Sequence, residues 1–455
     1  GVSAGKDKNQ FFLNVQDIDG YDFSYTDENN VTGNVEDYVK NSNFTWLHQS
    51  QNHKVLANTY RGGEGYLGVL PRNASGAGIE HELEGRLISY EFKKDLNKRD
   101  QFKFHSSYDW NERDLARNAT DRADIAGYRF TTGILFQREQ RKDFNWEFGW
   151  DYDARTSQSY RNYNSLTGQN LGENNLNEKD VWEYSFFGNA MWEGRKIHSA
   201  AGIRYTKNEL FGNNTALHLT FVRPLAENRS VKFIYAQSYR APSLFELNFE
   251  TATGTVFGDP NLEPEESTSF ELAYLEKKGC VFFQTTVYRA NYENKILRTR
   301  GNGIGPTGTV YTNQNHYVNG EDFDALGFEF EMRFENPRKY GVSGFLNFGY
   351  IDGEDDDRVV NGTDTGVYNF LSVPETTIAL GLEKKFQNGL IATTVLNYRS
   401  SSKDTEGNEV GAISTVDFNF IKPVDKGRIA FSVKNAFDNE AWIPEYARPN
   451  SGLDQ

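Results

Sequence analysis

Arg298 and Arg300 stand two residues apart, and Tyr311, His316 and Tyr317 follow in the same polar stretch. Two fixed cations beside several rings can pair with, and stack on, an anionic and aromatic ligand. Tyr160, Arg161 and Tyr163 repeat that combination earlier in the chain. Both groups also read as ordinary polar loop, which asks nothing of a ligand. Asp352, Glu354, Asp355, Asp356 and Asp357 form an acidic run, and oxygen-rich clusters bind hard cations such as Ca²⁺. The run lacks the ordered ligand spacing and turning glycine of an EF-hand, so a solvated loop is the plainer reading.

No other chemistry is spelled out. The histidines (His48, His53, His81, His105, His198, His218 and His316) are scattered without metal-ligand spacing. Cys280, the single cysteine, sits beside Gly279 and rules out an internal disulfide. Gly301-Asn-Gly-Ile-Gly-Pro has close glycines but not the strand–helix context of a phosphate loop, and no nucleophile elbow is present. Glu329 and Glu331 lie two apart on one predicted strand, where pairing with Arg333 explains them more simply than acid–base catalysis. The expectation is a non-enzyme with no catalytic residues, no bound metal and no cofactor. A net charge of −15 disfavours nucleic acid as a partner.

The elements that carry these residues announce themselves more clearly. Phe144 to Tyr152 reads Phe-Asn-Trp-Glu-Phe-Gly-Trp-Asp-Tyr, with a ring at every second position. A strand has a side-chain period of two, so the rings share one face and Asn145, Glu147, Gly149 and Asp151 share the other. Phe102, Phe104, Tyr108 and Trp110 repeat the pattern, as do Tyr128, Phe130, Ile134 and Phe136. Val231, Phe233, Tyr235 and Tyr239 follow it, and so do Phe328, Phe330, Met332 and Phe334. Only 37% of residues are hydrophobic although 15% are aromatic, and no run is long enough for a membrane helix. A greasy outside and wet inside fit an all-β fold: a large antiparallel transmembrane β-barrel of about 20–22 strands. Trp146, Phe148 and Trp150 are then expected to face lipid.

Connection lengths point the same way. Short turns near 95–100, 139–143, 193–196, 224–229, 277–279, 336–340, 387–389 and 423–427 alternate with polar stretches at 113–124, 156–180, 241–267, 297–324, 353–374 and 400–411. Several short turns are basic, whereas the long stretches carry much of the acid and glycine. Strict alternation predicts short periplasmic turns on one rim and long extracellular loops, including 400–411, on the other. Strands are expected from near Phe11 to near Asn435 in one domain spanning 1–455. Strand parity places the first of them close to strand two of a barrel, with a closing strand missing after Asp438.

Four motifs sharpen this reading. Tyr-Ala-Gln-Ser-Tyr-Arg-Ala-Pro-Ser-Leu-Phe-Glu-Leu (235–247) contains Tyr239, Arg240, Ala241 and Pro242. Asp-Pro-Asn-Leu (259–262) supplies Asp259, Pro260, Asn261 and Leu262. Ala325-Leu-Gly-Phe-Glu-Phe-Glu and Val433-Lys-Asn-Ala-Phe-Asp-Asn-Glu follow in order. Together they resemble the C-terminal part of a TonB-dependent outer-membrane receptor, with Asp259 where the family usually has Asn. Pro242 and Pro260 cannot donate to a ladder, so they suit a strand exit and a loop return; anchoring at the rim is the plainer role for both boxes.

The resemblance implies the outer membrane of a Gram-negative bacterium, with membrane lipid and lipopolysaccharide around the wall. It also implies coupling to the TonB energy-transducing complex through a plug domain that this chain is expected to lack. The implied cargo is a scarce large ligand, with a ferric siderophore first. Cobalamin, haem, glycan or peptide uptake, and a passive porin-like channel, stay open. Haem is disfavoured because residues 243–258, between the boxes, hold no histidine.

Overall fold

A computed structural model describes residues 2–6, 8–20, 23–26, 32–35, 38–65, 80–116, 121–164, 166–173, 175–250, 256–320, 322–336, 341–355, 359–360, 363–364, 368–369, 373–403, 409–425 and 427–440. Nearly all of it is antiparallel strand. A 22-stranded sheet contains two short additions, Asn170–Glu173 and Tyr368–Asn369, which pair only beside loops. The other 20 strands form a continuous up-and-down meander.

In chain order these are β1 (Val2–Lys6), β2 (Asn9–Asp19), β3 (Tyr38–Gln49), β4 (His53–Glu64) and β5 (Glu80–Asp95). Next come β6 (Asp100–Ala116), β7 (Asp121–Arg141), β8 (Phe144–Asn164), β9 (Lys179–Glu193) and β10 (His198–Asn208). β11 (Gly212–Ala226), β12 (Arg229–Arg240), β13 (Glu265–Lys278), β14 (Val281–Glu293) and β15 (Phe323–Asn336) continue the series. It ends with β16 (Val342–Asp355), β17 (Thr376–Lys385), β18 (Ile391–Arg399), β19 (Ile413–Val424) and β20 (Gly427–Val433).

Register keeps the two faces distinct. Phe148 pairs with Phe136 on β7 and Gly188 on β9, and Trp150 with Ile134 and Phe186, so the rings form one outward stripe. Phe148 is 50% exposed on that face. The opposite face is polar and cross-linked by charge. Arg204 reaches Asp151 at 3.1 Å, and Arg155 joins Asp153 at 2.7 Å and Glu183 at 3.1 Å. Arg333 pairs with Glu331 on the same strand. On this face Phe187 lies across Gly149, where a Cβ would sit 2.3 Å from its ring.

The structure corrects four details of the sequence reading. The first strand is Val2–Lys6, ahead of Phe11. Much of 113–124 and 156–180 is strand rather than loop, because β7 and β8 each run for 21 residues. About ten tilted residues suffice to cross a bilayer, so these two strands stand well clear of it. The alternation of long and short is not strict: β10 and β11 meet on the long-loop rim through Glu209–Phe211 alone, with Gly212 at a φ of 75°. Finally, 297–324 is not simply a loop, since Ile296–Ile304 and Val310–Asn319 form a hairpin of their own. The closing strand sought after Asp438 would fall on residues 441–455, outside the described residues.

Candidate functional site

The long connections after β12 and β14 fold into one assembly on the long-loop rim. Ser243-Leu-Phe-Glu246 carries the capping-box spacing, and a short helix, α1 (Leu244–Asn248), starts there. The Ser243 hydroxyl accepts from the Glu246 N–H at 3.2 Å, and the Glu246 carboxylate accepts from the Ser243 N–H at 2.7 Å. Arg240, the last residue of β12, pairs with Glu246 at 3.2 Å and with Glu265, the first residue of β13. One guanidinium therefore joins two strand ends to the helix cap, a geometry suited to a planar five-donor group. Tyr239 precedes it on β12, while Ala241 and the buried Pro242 lead the chain off the strand.

The second box turns the chain back. The Asp259 N–H donates to the Glu246 carbonyl at 3.0 Å, and its carboxylate accepts from the Asn261 N–H at 2.8 Å. Pro260 sits exposed in that turn, whereas Leu262 is 2% exposed. These box residues hold the loop's shape through one another.

Tyr160, Leu176 and Phe249 form a buried apolar cluster, with Ile125, Leu244, Phe245 and Val256 packed around it. Tyr160 reaches it because of a register shift between Ser157 and Ser159 on β8. One extra residue in a strand exchanges its faces. Tyr160 thus lies on the face opposite Trp150 and Tyr152, although all three have even numbers. Its ring lies 5.2 Å from Phe249 and 6.3 Å from Phe245, and Tyr317 meets Phe245 edge-on at 6.0 Å. Arg298 is the register partner of Tyr317 across the loop hairpin. Burial pushes the Tyr317 hydroxyl pKa up, while Arg298 nearby pulls it down.

The other side of the hairpin is packed by Phe257. Val256 and Phe257 run parallel to Asn315 and His316. The Phe257 ring stacks on Tyr311 at 4.7 Å and on His316 at 5.0 Å, leaving it 1% exposed. Gly303 permits that approach, since a Cβ there would sit 2.8 Å from the ring. Glu250, also buried, accepts from the Thr307 N–H at 2.9 Å, the Thr307 hydroxyl at 2.8 Å and the Tyr311 hydroxyl. Burial, then that carboxylate, pushes Tyr311 up to about 12.

The sequence candidates therefore divide. Tyr160 and Tyr317 both meet the Phe245 ring, joining two patches that lie far apart in the chain, and Arg298 lies opposite Tyr317 in the hairpin. Tyr311 and His316 are occupied in packing Phe257, and His316 is 9% exposed. Arg300 donates to the Asn313 carbonyl at 3.0 Å. Arg161 pairs with Asp124 at 2.6 Å and lies over the Tyr163 ring at 4.8 Å, turned away from Tyr160 by the alternation along β8. In the acidic run Asp352 is an exposed strand residue; the side chains of Glu354 to Asp357 lie outside the described residues. No group of three His, Cys, Asp or Glu among the described residues is placed to hold a metal.

Sequence reasoning overlooked Glu246, Glu250 and Thr307. The Ser243-x-x-Glu246 spacing was a usable signal for the first. Nothing local marks the other two, because Glu250 and Thr307 meet only through the tertiary fold.

Known proteins show related architecture. A probable haemoglobin and haemoglobin–haptoglobin-binding protein of Haemophilus influenzae is 27% identical over 306 residues. That match covers 56% of this chain but only 29% of the relative's length. The crystal structure of the siderophore receptor PirA from Acinetobacter baumannii superposes with a TM-score of 0.66 at 16% identity, over 95% of this chain and 72% of that one. The outer membrane transporter YddB of Escherichia coli gives 0.69 at 11% identity, over 95% and 72%. Residues 14–436 match the family described as TonB dependent receptor-like, beta-barrel. The chain belongs to the TonB-dependent receptors, as their β-barrel, and its place is the outer membrane of Gram-negative bacteria.

Proposed function

We propose that this barrel serves an energised uptake receptor that captures a scarce, large ligand with its outer loops, a ferric siderophore being the first choice. Family membership supports uptake rather than catalysis. The observation that supports the ligand class is the part-exposed pair Phe245 and Tyr317 beside the exposed Arg298, with the buried Tyr160 backing the rings. Rings beside a guanidinium suit an anionic, aromatic iron chelate. Coupling would run through a plug domain to TonB, with membrane lipid and lipopolysaccharide surrounding the wall.

A second reading, capture of haem from haemoglobin, is favoured by the Haemophilus relative's name. The burial of His316 against Phe257 speaks against that histidine as an axial ligand.

The test is equilibrium binding of ferric siderophores, cobalamin and haem to the receptor purified from its membrane, plug included. Tight ferric-siderophore binding should weaken at least tenfold in Arg298→Ala with Tyr317→Ala, two contacts of roughly 1 kcal/mol each. Binding of haem instead, or siderophore binding indifferent to both changes, would sink the siderophore reading.

A further inference from the structure

The two rims carry opposite charge, and the uptake reading does not use this. Each of the ten short turns can be taken with two flanking strand residues on either side. Nine are then net positive, none is net negative, and they total +11 in a chain of −15. The nine connections on the other rim, counted the same way, total −20. Arg195, Lys196, Lys277 and Lys278 are all exposed in these turns and form no ion pair among the described residues.

The placement of the charge is more telling than its amount. On several strands descending to the short turns, an outward position close to the turn is basic. Phe92 is followed two residues later by Lys94, Phe221 by Arg223, Leu382 by Lys384 and Phe420 by Lys422. A step of two keeps a side chain on the same face, so each cation lies within the outward stripe near its lower end, with an exposed apolar residue (Leu96, Leu225, Phe386 or Val424) two positions further on. Register supports this, since Phe92 pairs with Phe104, Phe221 with Phe233 and Phe420 with Phe431. At the opposite end two such positions are acidic, Trp110 leading to Glu112 and Tyr350 to Asp352, whereas Tyr205 leads to Lys207. Cations set among the last apolar side chains before the turns suit headgroup depth, where long basic side chains extend to reach phosphate.

We propose that the basic periplasmic rim is a docking surface for anionic phospholipid headgroups of the inner leaflet. It would hold the barrel at a fixed depth and select phosphatidylglycerol-like lipids from the bilayer around it. The phosphate is contacted by side chains that face lipid, which distinguishes this surface from one that binds a soluble anion in the lumen.

The experiment reconstitutes the full receptor into phosphatidylcholine vesicles holding a minority of phosphatidylglycerol. Spin-labelled phosphatidylglycerol and spin-labelled phosphatidylcholine then report which lipid occupies the protein boundary. The expected preference for the anionic lipid is on the order of fivefold, the worth of one basic residue near a charged surface. It should fall towards equality in Lys94→Gln, Arg223→Gln, Lys384→Gln combined. If that variant does not assemble, the wild-type protein at about 1 M salt, where screening acts within roughly 3 Å, should show the same loss. Equal occupancy in the wild type, or a preference that survives both the substitutions and the salt, would overturn the proposal. Salt-sensitive retention on isolated peptidoglycan without any lipid selectivity would overturn it too.

Discussion

The barrel wall and the loop assembly are built from the same residue types under opposite rules. In the wall, Phe148 is a large ring left half exposed on the outward face, and its facing follows from position alone. In the assembly, Phe257 is a large ring wholly buried, and its partners Tyr311 and His316 lie more than fifty residues away. Wall strands touch mostly their sequence neighbours in the meander, so a local defect stays local. The assembly closes distant segments on one another, so its order depends on a few long-range contacts.

Removing the ring that fills the assembly should break this comparison most sharply. Phe257→Ala strips Tyr311 and His316 of their shared stacking partner and leaves a cavity against Gly303. A buried Phe-to-Ala change costs about 3–5 kcal/mol. The loops should become open to protease while the wall keeps its heat-modifiable migration on gels. Loops as resistant as wild type would mean Phe257 is not what holds them.

The wall should respond in the reverse sense. Phe148→Arg places a charge on the lipid face, at about 2–4 kcal/mol if it lies near the bilayer midplane. Assembly into the membrane should fall, with the loops affected only because the barrel is not there. Normal heat-modifiable barrel formation by that variant would reverse the facing assigned to the whole stripe.

The same contrast explains what could be read from the sequence. Facing in the wall was legible because the period of two survives for whole strands, as at Phe144–Tyr152. It failed at Tyr160, where the irregularity after Ser157 exchanges the faces without any proline or glycine to announce it. The tight link between β10 and β11 was missed although Gly212, left-handed at 75°, offered a cue. Among the site candidates, proximity in sequence misled. Arg161 and Tyr163 adjoin Tyr160 in the chain, yet Tyr160 joins Phe245 and Tyr317 while they pair with Asp124 and each other. Hairpin strands within a long loop were illegible for a related reason, since Ile296–Ile304 holds two glycines, Gly301 and Gly303, that weaken any period.

The smallest effect expected is also the most specific to the assembly. Tyr311 donates to the buried Glu250 carboxylate, and its pKa rises from 10.0 to about 12 because ionising it would bury a charge beside another. A folded-state value above the unfolded one means the folded loop keeps its proton longer. Its contribution to stability is therefore complete below pH 10 and is lost as pH climbs through about 12. A tyrosinate absorbance titration of the wild type, less that of Tyr311→Phe, should isolate one hydroxyl with a midpoint near 12. The substitution itself should cost only about 1 kcal/mol, the net worth of a typical hydrogen bond, because Thr307 still satisfies Glu250. A difference curve centred at 10 would show the hydroxyl in water rather than against Glu250. The hairpin would then be open in solution, and the assembly would owe its order to a ligand.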